Sequence, residues 1–106
     1  MYASVRRYTL EGGSIDEIMH KVDTIFAEQI SKEPGFIAYE AFRCDDGTVM
    51  SITTFENRAG VERSNELARQ FVRQELSDAR LTPTEATVAE LLVSRAENKL
   101  LQPVHA

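Results

Sequence analysis

A chain of 106 residues, 42% of them hydrophobic, is sized for one small domain with a modest core, and at that size burying surface against a partner adds stability. Charged residues make up 27%, which argues against disorder, while 17 acidic against 12 basic residues leave a net charge of −5. That balance speaks against nucleic acid and against membranes as partners, because both want a basic footprint. The single cysteine, Cys44, rules out an internal disulfide, suits a reducing cytoplasm, and is expected to serve as a small buried apolar group rather than a reactive thiol. The N-terminus lacks the apolar stretch of a signal peptide, and no apolar run is long enough to cross a bilayer.

The first expected element is a strand over Tyr2–Leu10, with Arg6 and Arg7 on opposite faces, one solvated and one at a sheet edge or interface. Glu11-Gly12-Gly13 is the turn that leaves it. Ser14 with Glu17 forms a capping box, and Ile15, Ile18, Met19, Val22, Ile25, Phe26 and Ile30 then share one helical face. His20 lies on the polar flank of this helix, placed for an exposed ion pair with Asp16. Pro34-Gly35 ends the helix, since proline has no backbone donor and restricts its predecessor.

A strand over Phe36–Cys44, a turn at Asp45-Asp46-Gly47 and a β-branched strand over Thr48–Phe55 read as a hairpin. With an even-length connection, Ala38, Glu40 and Phe42 share a face with Val49, Ser51, Thr53 and Phe55, and Ile37, Tyr39 and Ala41 share the other with Met50, Ile52 and Thr54. Both faces are largely apolar, so the face away from the helices needs cover that one chain does not supply. Asn57 caps a second helix whose apolar side is Val61, Leu67, Ala68, Phe71, Val72, Leu76 and Ala79, with Ser64, Asn65 and Glu75 falling in the same arc. The segment 81–84, with Pro83, breaks that helix, Glu85–Val93 is the last strand, and the remainder is a plain tail.

The order strand, helix, strand, strand, helix, strand is the ferredoxin-like βαββαβ pattern of the α+β class, a four-stranded antiparallel sheet with two helices on one face. The segment Glu33-Pro34-Gly35-Phe36-Ile37-Ala38-Tyr39-Glu40, the short hairpin, and Phe55-Glu56 opening a helix resemble the antibiotic biosynthesis monooxygenase domain of the dimeric α+β barrel superfamily. The resemblance runs over roughly Tyr2–Val93, setting a domain at 1–96 and a tail at 97–106. It implies a homodimer in which two open sheets pair into a barrel.

It also implies oxygenation of a small aromatic or quinol compound by dioxygen with no metal and no other cofactor, in a pocket between the sheet and the second helix. There Phe42, Phe55 and Phe71 are the expected walls, and Glu40, Ser51, Ser64 or Asn65 the polar groups reaching inward. Many relatives carry tryptophan where Phe55 stands and histidine near Ser64, and some carry asparagine at Ser51; this chain has none of the three. Two other readings stay open. One is a non-catalytic dimeric barrel that binds a small hydrophobic ligand. The other is a related isomerase or cyclase using Glu40 or Glu75, because a carboxylate in an apolar pocket has a raised pKa. No histidine and cysteine spacing suggests a metal site.

Overall fold

The computed structural model describes residues 1–101; the last five residues of the expected tail lie outside the described residues. The chain runs through β1 (Tyr2–Leu10), α1 (Ile15–Lys21), a π-helical stretch (Val22–Ala27), α2 (Glu28–Ile30), β2 (Phe36–Arg43), β3 (Val49–Phe55), α3 (Arg58–Glu75), β4 (Leu81–Glu90) and a 3-10 turn at Asn98–Leu101. The strands form one antiparallel sheet in the order β2-β3-β1-β4, and the two helical segments pack on one face of it, a ferredoxin-like α+β fold. Ser14 caps the first helix through the Glu17 backbone N–H, and Asn57 caps α3 through that of Gly60 at 2.9 Å.

The core lies between the sheet and the helices, where Ile18, Val22, Phe26 and Ile30 of the first helical segment meet Leu67, Ala68 and Phe71 of α3. Ile25, expected on the same buried face, is 39% exposed. The cause is the π-helical stretch. Its wider turn brings residues 22, 26 and 30 to the core and rotates Ile25 outward.

The hairpin register differs from the expected one. Thr48 C=O accepts from the Cys44 N–H at 2.9 Å, so the turn holds three residues, with Gly47 at φ +86°. An odd turn shifts parity by one residue, and a one-residue shift moves every side chain of a strand to the other face. Tyr39 pairs with Thr53 and Ala41 with Ser51 toward the helices, while Glu40 pairs with Ile52 and Phe42 with Met50 on the opposite face. Ile37 falls in an irregularity of the ladder between Phe36 and Ala38.

β4 starts at Leu81, earlier than expected, and ends at Glu90. It takes in Pro83 because it is an edge strand paired only with β1, next to a register shift at Arg7/Tyr8 where a missing backbone donor is tolerated. Val93, expected in the strand, is 84% exposed beyond its end.

Candidate functional site

The helix-facing centre of the sheet is polar. Ser4 and Arg6 of β1 sit opposite Thr53 and Ser51 of β3, and all four are buried, as is Ser64 of α3. Arg6 organises them. Its Nε donates to Ser51 Oγ at 3.3 Å and its NH2 to Thr53 Oγ1 at 2.8 Å. Its NH1 donates at 3.3 Å to both the Ser64 carbonyl and Asn65 Oδ1. Asn65 Oδ1 also accepts from Ser4 Oγ at 2.6 Å, and Ser64 Oγ donates to the Val61 carbonyl. No buried side-chain nitrogen or oxygen among the described residues lacks a partner. The network thereby ties α3 to the two central strands.

Beside this network a cavity of about 40 Å³ opens between the sheet and both helical segments. Val22, Phe26, Phe71, Val72 and Leu76 give it apolar walls; Arg6, Ser51, Tyr39 and Tyr8 supply the polar groups. The Arg6 guanidinium lies 5.6 Å from the centre of the Phe26 ring, which meets Tyr39 edge-on and Phe71 at a tilt, each at 5.4 Å. Burial lowers the Arg6 pKa from its ordinary value, with the nearby phenols of Tyr8 and Tyr39 opposing the shift. Burial also pushes the Tyr39 phenol up to about 12, against the pull of the Arg6 charge.

Tyr39 is therefore a hydrogen-bond donor rather than a base at neutral pH. Its folded pKa lies above the ordinary value near ~10, so the stability linked to its proton is full below that pH and is lost as pH rises toward about 12. An ultraviolet pH titration should show one of the three tyrosines ionising late, near pH 12, and Tyr39→Phe should remove that late phase. A late phase that survives the substitution would assign it to another residue.

Of the residues expected to form the site, Ser51 and Phe71 line the cavity. Ser64 and Asn65 are the second layer, holding Arg6 from behind. Phe55 is 1% exposed and packs edge-on against Phe36 at 5.7 Å, away from the lining. Glu40 and Phe42 lie on the far face of the sheet, the consequence of the three-residue turn. Glu75 is not among the lining residues. The residues that sequence reasoning missed are Arg6, Tyr39 and Phe26. Arg6 was expected in solvent or at a sheet edge or interface, yet it is 5% exposed in a central strand. The usable signal is an arginine in mid-strand on the same alternation as Ser4 and Tyr8, but it gains meaning only once Ser51 and Thr53 are known to stand opposite.

Cys44 is part-buried at the hairpin end, where Arg7 NH1 donates to its Sγ at 3.3 Å. Among the described residues no three or more His, Cys, Asp or Glu side chains gather as a metal site, and no helix is long and apolar enough to cross a membrane.

Solved structures share this architecture. SnoaB, a cofactor-independent oxygenase from Streptomyces nogalater, aligns over 91% of this chain and 97% of its own at a TM-score of 0.66 and 17% identity. HapK from Hahella chejuensis aligns over 92% and 98% at 0.70 and 14% identity. A dimeric ferredoxin-like protein from an uncultured marine organism aligns over 91% and 98% at 0.67 and 8% identity. At these identities the likeness is one of fold. No curated protein matches the sequence. The model of the family described as antibiotic biosynthesis monooxygenase matches residues 1–75, a stretch that runs from β1 to the last residue of α3 and contains every polar group of the cavity. On that match, the chain belongs to the antibiotic biosynthesis monooxygenase family.

Proposed function

We propose that this protein binds a small aromatic or quinol compound between the sheet and its helices and oxygenates it with dioxygen, with no metal or flavin taking part. The observation that carries this reading is the cavity itself: apolar walls of Phe26, Phe71, Val72 and Leu76 beside the polar groups of Arg6, Ser51 and Tyr39. Such a pairing suits a flat ligand whose reacting oxygen gathers charge, because donors fixed in an apolar setting stabilise developing charge better than water does. Family membership and the oxygenase description of SnoaB support the same reading. For a methylene between two aromatic rings the balance is simple. The carbon loses both hydrogens and gains one oxygen atom from dioxygen as a carbonyl, and the second oxygen leaves as water.

At about 40 Å³ the cavity holds roughly three waters, at the ~10–15 Å³ each requires. A ring system enters only if the wall yields. The π-helical stretch that carries Val22 and Phe26 is the segment suited to yield, since its hydrogen bonding departs from the regular α ladder. Acid–base chemistry by Glu40 or Glu75, as an isomerase or cyclase would need, finds neither carboxylate in the lining.

Oxygen uptake by the chelator-treated, flavin-free protein, measured over a panel of anthrones and hydroquinones, tests the reading. Uptake equimolar with ligand consumed supports it. Ligand bound without uptake makes the protein a binding barrel, and absence of binding across the panel rejects both.

The active form we infer is a homodimer joined sheet to sheet, in the cytoplasm that a lone thiol suits. Val5, Met50 and Ile52 form an apolar band on the sheet face away from the helices, flanked by Phe42 at 41% exposure. The helices pack on the other face of the sheet, and within the chain this band is only part-buried. A second copy would complete its cover in a closed two-fold arrangement, and one structural relative is itself a dimeric ferredoxin-like protein. Tyr39, expected from the sequence to share this face with Met50 and Ile52, pairs with Thr53 and lines the cavity instead. Ile52→Asp is expected to convert the dimer to monomer in sedimentation at micromolar concentration, because an unpaired carboxylate would be buried at the centre of the interface. A dimer that survives the substitution would place the interface on another face.

A further inference from the structure

We propose that Arg6 makes the cavity selective for flat aromatic ligands that carry an anionic oxygen, phenolate or carboxylate, and that the ligand loses its proton to water rather than to a protein base. This rests on the ligand-binding reading above and assigns its specificity. A guanidinium presents five N–H donors. Four are taken by Ser51, Thr53, Ser64 and Asn65, all through uncharged oxygens, and the fifth has no acceptor among the described residues. None of the ion pairs among those residues includes Arg6. A buried cation held only by neutral dipoles is costly, and an arriving anion recovers that cost. The Arg6 side chain forms part of the cavity lining, so the charge is available where a ligand would sit.

The same lining contains no group able to take a proton at neutral pH. The helical wall contributes Ile18, Met19, Val22 and Phe26, α3 contributes Ala68, Phe71 and Val72 with Leu76 at its C-cap, β3 Val49 and Ser51, and β4 Leu81. The titratable groups facing Arg6 are the phenols of Tyr8 on β1 and Tyr39 on β2, with the further cation Arg69 on α3. Carboxylates and histidine are missing from both sets. Arg6 keeps its charge throughout the working range and Tyr39 remains a donor, so the pH dependence of binding belongs to the ligand.

The test uses 4-nitrophenol, whose phenol and phenolate absorb differently, titrated with and without the full-length protein. The bound dye is expected to ionise about 1–3 pH units below the free dye, the shift that an adjacent cation produces. Arg6→Met should weaken phenolate binding by the equivalent of that shift, about tenfold to a thousandfold, while neutral nitrobenzene binds both proteins equally. Arg6→Lys should retain the direction of the shift. Displacement of the dye by benzoate marks carboxylates as accepted ligands; resistance to benzoate restricts the class to phenolates.

A bound dye that ionises at or above its free value, a dye that does not bind at any pH, or an Arg6→Met protein that holds the phenolate as tightly as the parent would overturn the proposal. If Arg6→Met does not fold, the titration of the unaltered protein and of Arg6→Lys decides. Oxygen uptake is scored separately. Phenolate bound without uptake defeats the oxygenase reading alone, and uptake with the dye bound neutral defeats this inference alone.

Discussion

Replacing Phe26 with alanine is expected to remove about 3–5 kcal/mol of folding stability, the range for emptying a buried aromatic site. Two terms add. The ring's transfer energy is lost, and so are its dispersion contacts, because a void has no atoms to replace them. Phe26 is 2% exposed and stands at the junction of Tyr39, Phe71 and the Arg6 guanidinium, so each neighbour loses a partner at once. A domain of this size is stable by about 5–15 kcal/mol, so the loss is a large fraction of the whole. It should appear as a fall in the urea midpoint with an unchanged slope, and as a drop of about 4–8 °C in Tm for each kcal/mol. The same substitution widens the cavity, so ligands with larger ring systems should gain affinity relative to small ones. A loss below about 1 kcal/mol would show that the π-helical wall collapses onto the vacated space.

Gly60→Ala is expected to destabilise the protein by about 1–3 kcal/mol, although helix propensity alone points the other way. In an open helix alanine gains up to about 1 kcal/mol over glycine. Here a Cβ at position 60 would stand 2.5 Å from Phe55 Cδ2, 2.9 Å from its Cγ and 3.0 Å from its Cβ. These atoms belong to the near, stiff end of the ring. Phe55 is 1% exposed and meets Phe36 edge-on, so it has little room to retreat. Overpacking therefore outweighs propensity. The check is thermal melting of Gly60→Ala alone and together with Phe55→Leu. The double substitution should cost less than the sum of the two, because a smaller side chain frees the space the methyl needs. Strict additivity would mean that the methyl's cost arises elsewhere.

The Phe55–Gly60 contact also shows where local pattern stops being informative. Asn57 announces the start of α3, and Val61, Leu67, Ala68 and Phe71 announce its buried face. Nothing in that pattern says that position 60 must leave room for a ring from β3. The close approach exists because α3 packs on the strand that precedes it, and only the packed structure sets the distance.

What the sequence determined by itself is the element order, both helix caps, most of each helix's core face, and with them the ferredoxin-like class and family resemblance. These are properties with a short period. A capping box, a helical apolar stripe and a Pro-Gly stop each depend on residues within a turn or two, and those energies act before any tertiary contact forms. Three things required the tertiary structure. The face of β2 depended on the parity of the hairpin connection: closing the loop from Cys44 to Thr48 set three turn residues where an even-length connection was expected, and Tyr39 took the inward place expected of Glu40 and Phe42. The reach of β4 across Pro83 depended on its being an edge strand beside a register shift. The burial of Arg6 depended on Thr53, Ser51, Ser64 and Asn65, which lie 45–59 residues away along the chain. A guanidinium leaves water only when enough fixed dipoles receive it, and that set of dipoles exists only after the sheet and α3 have come together.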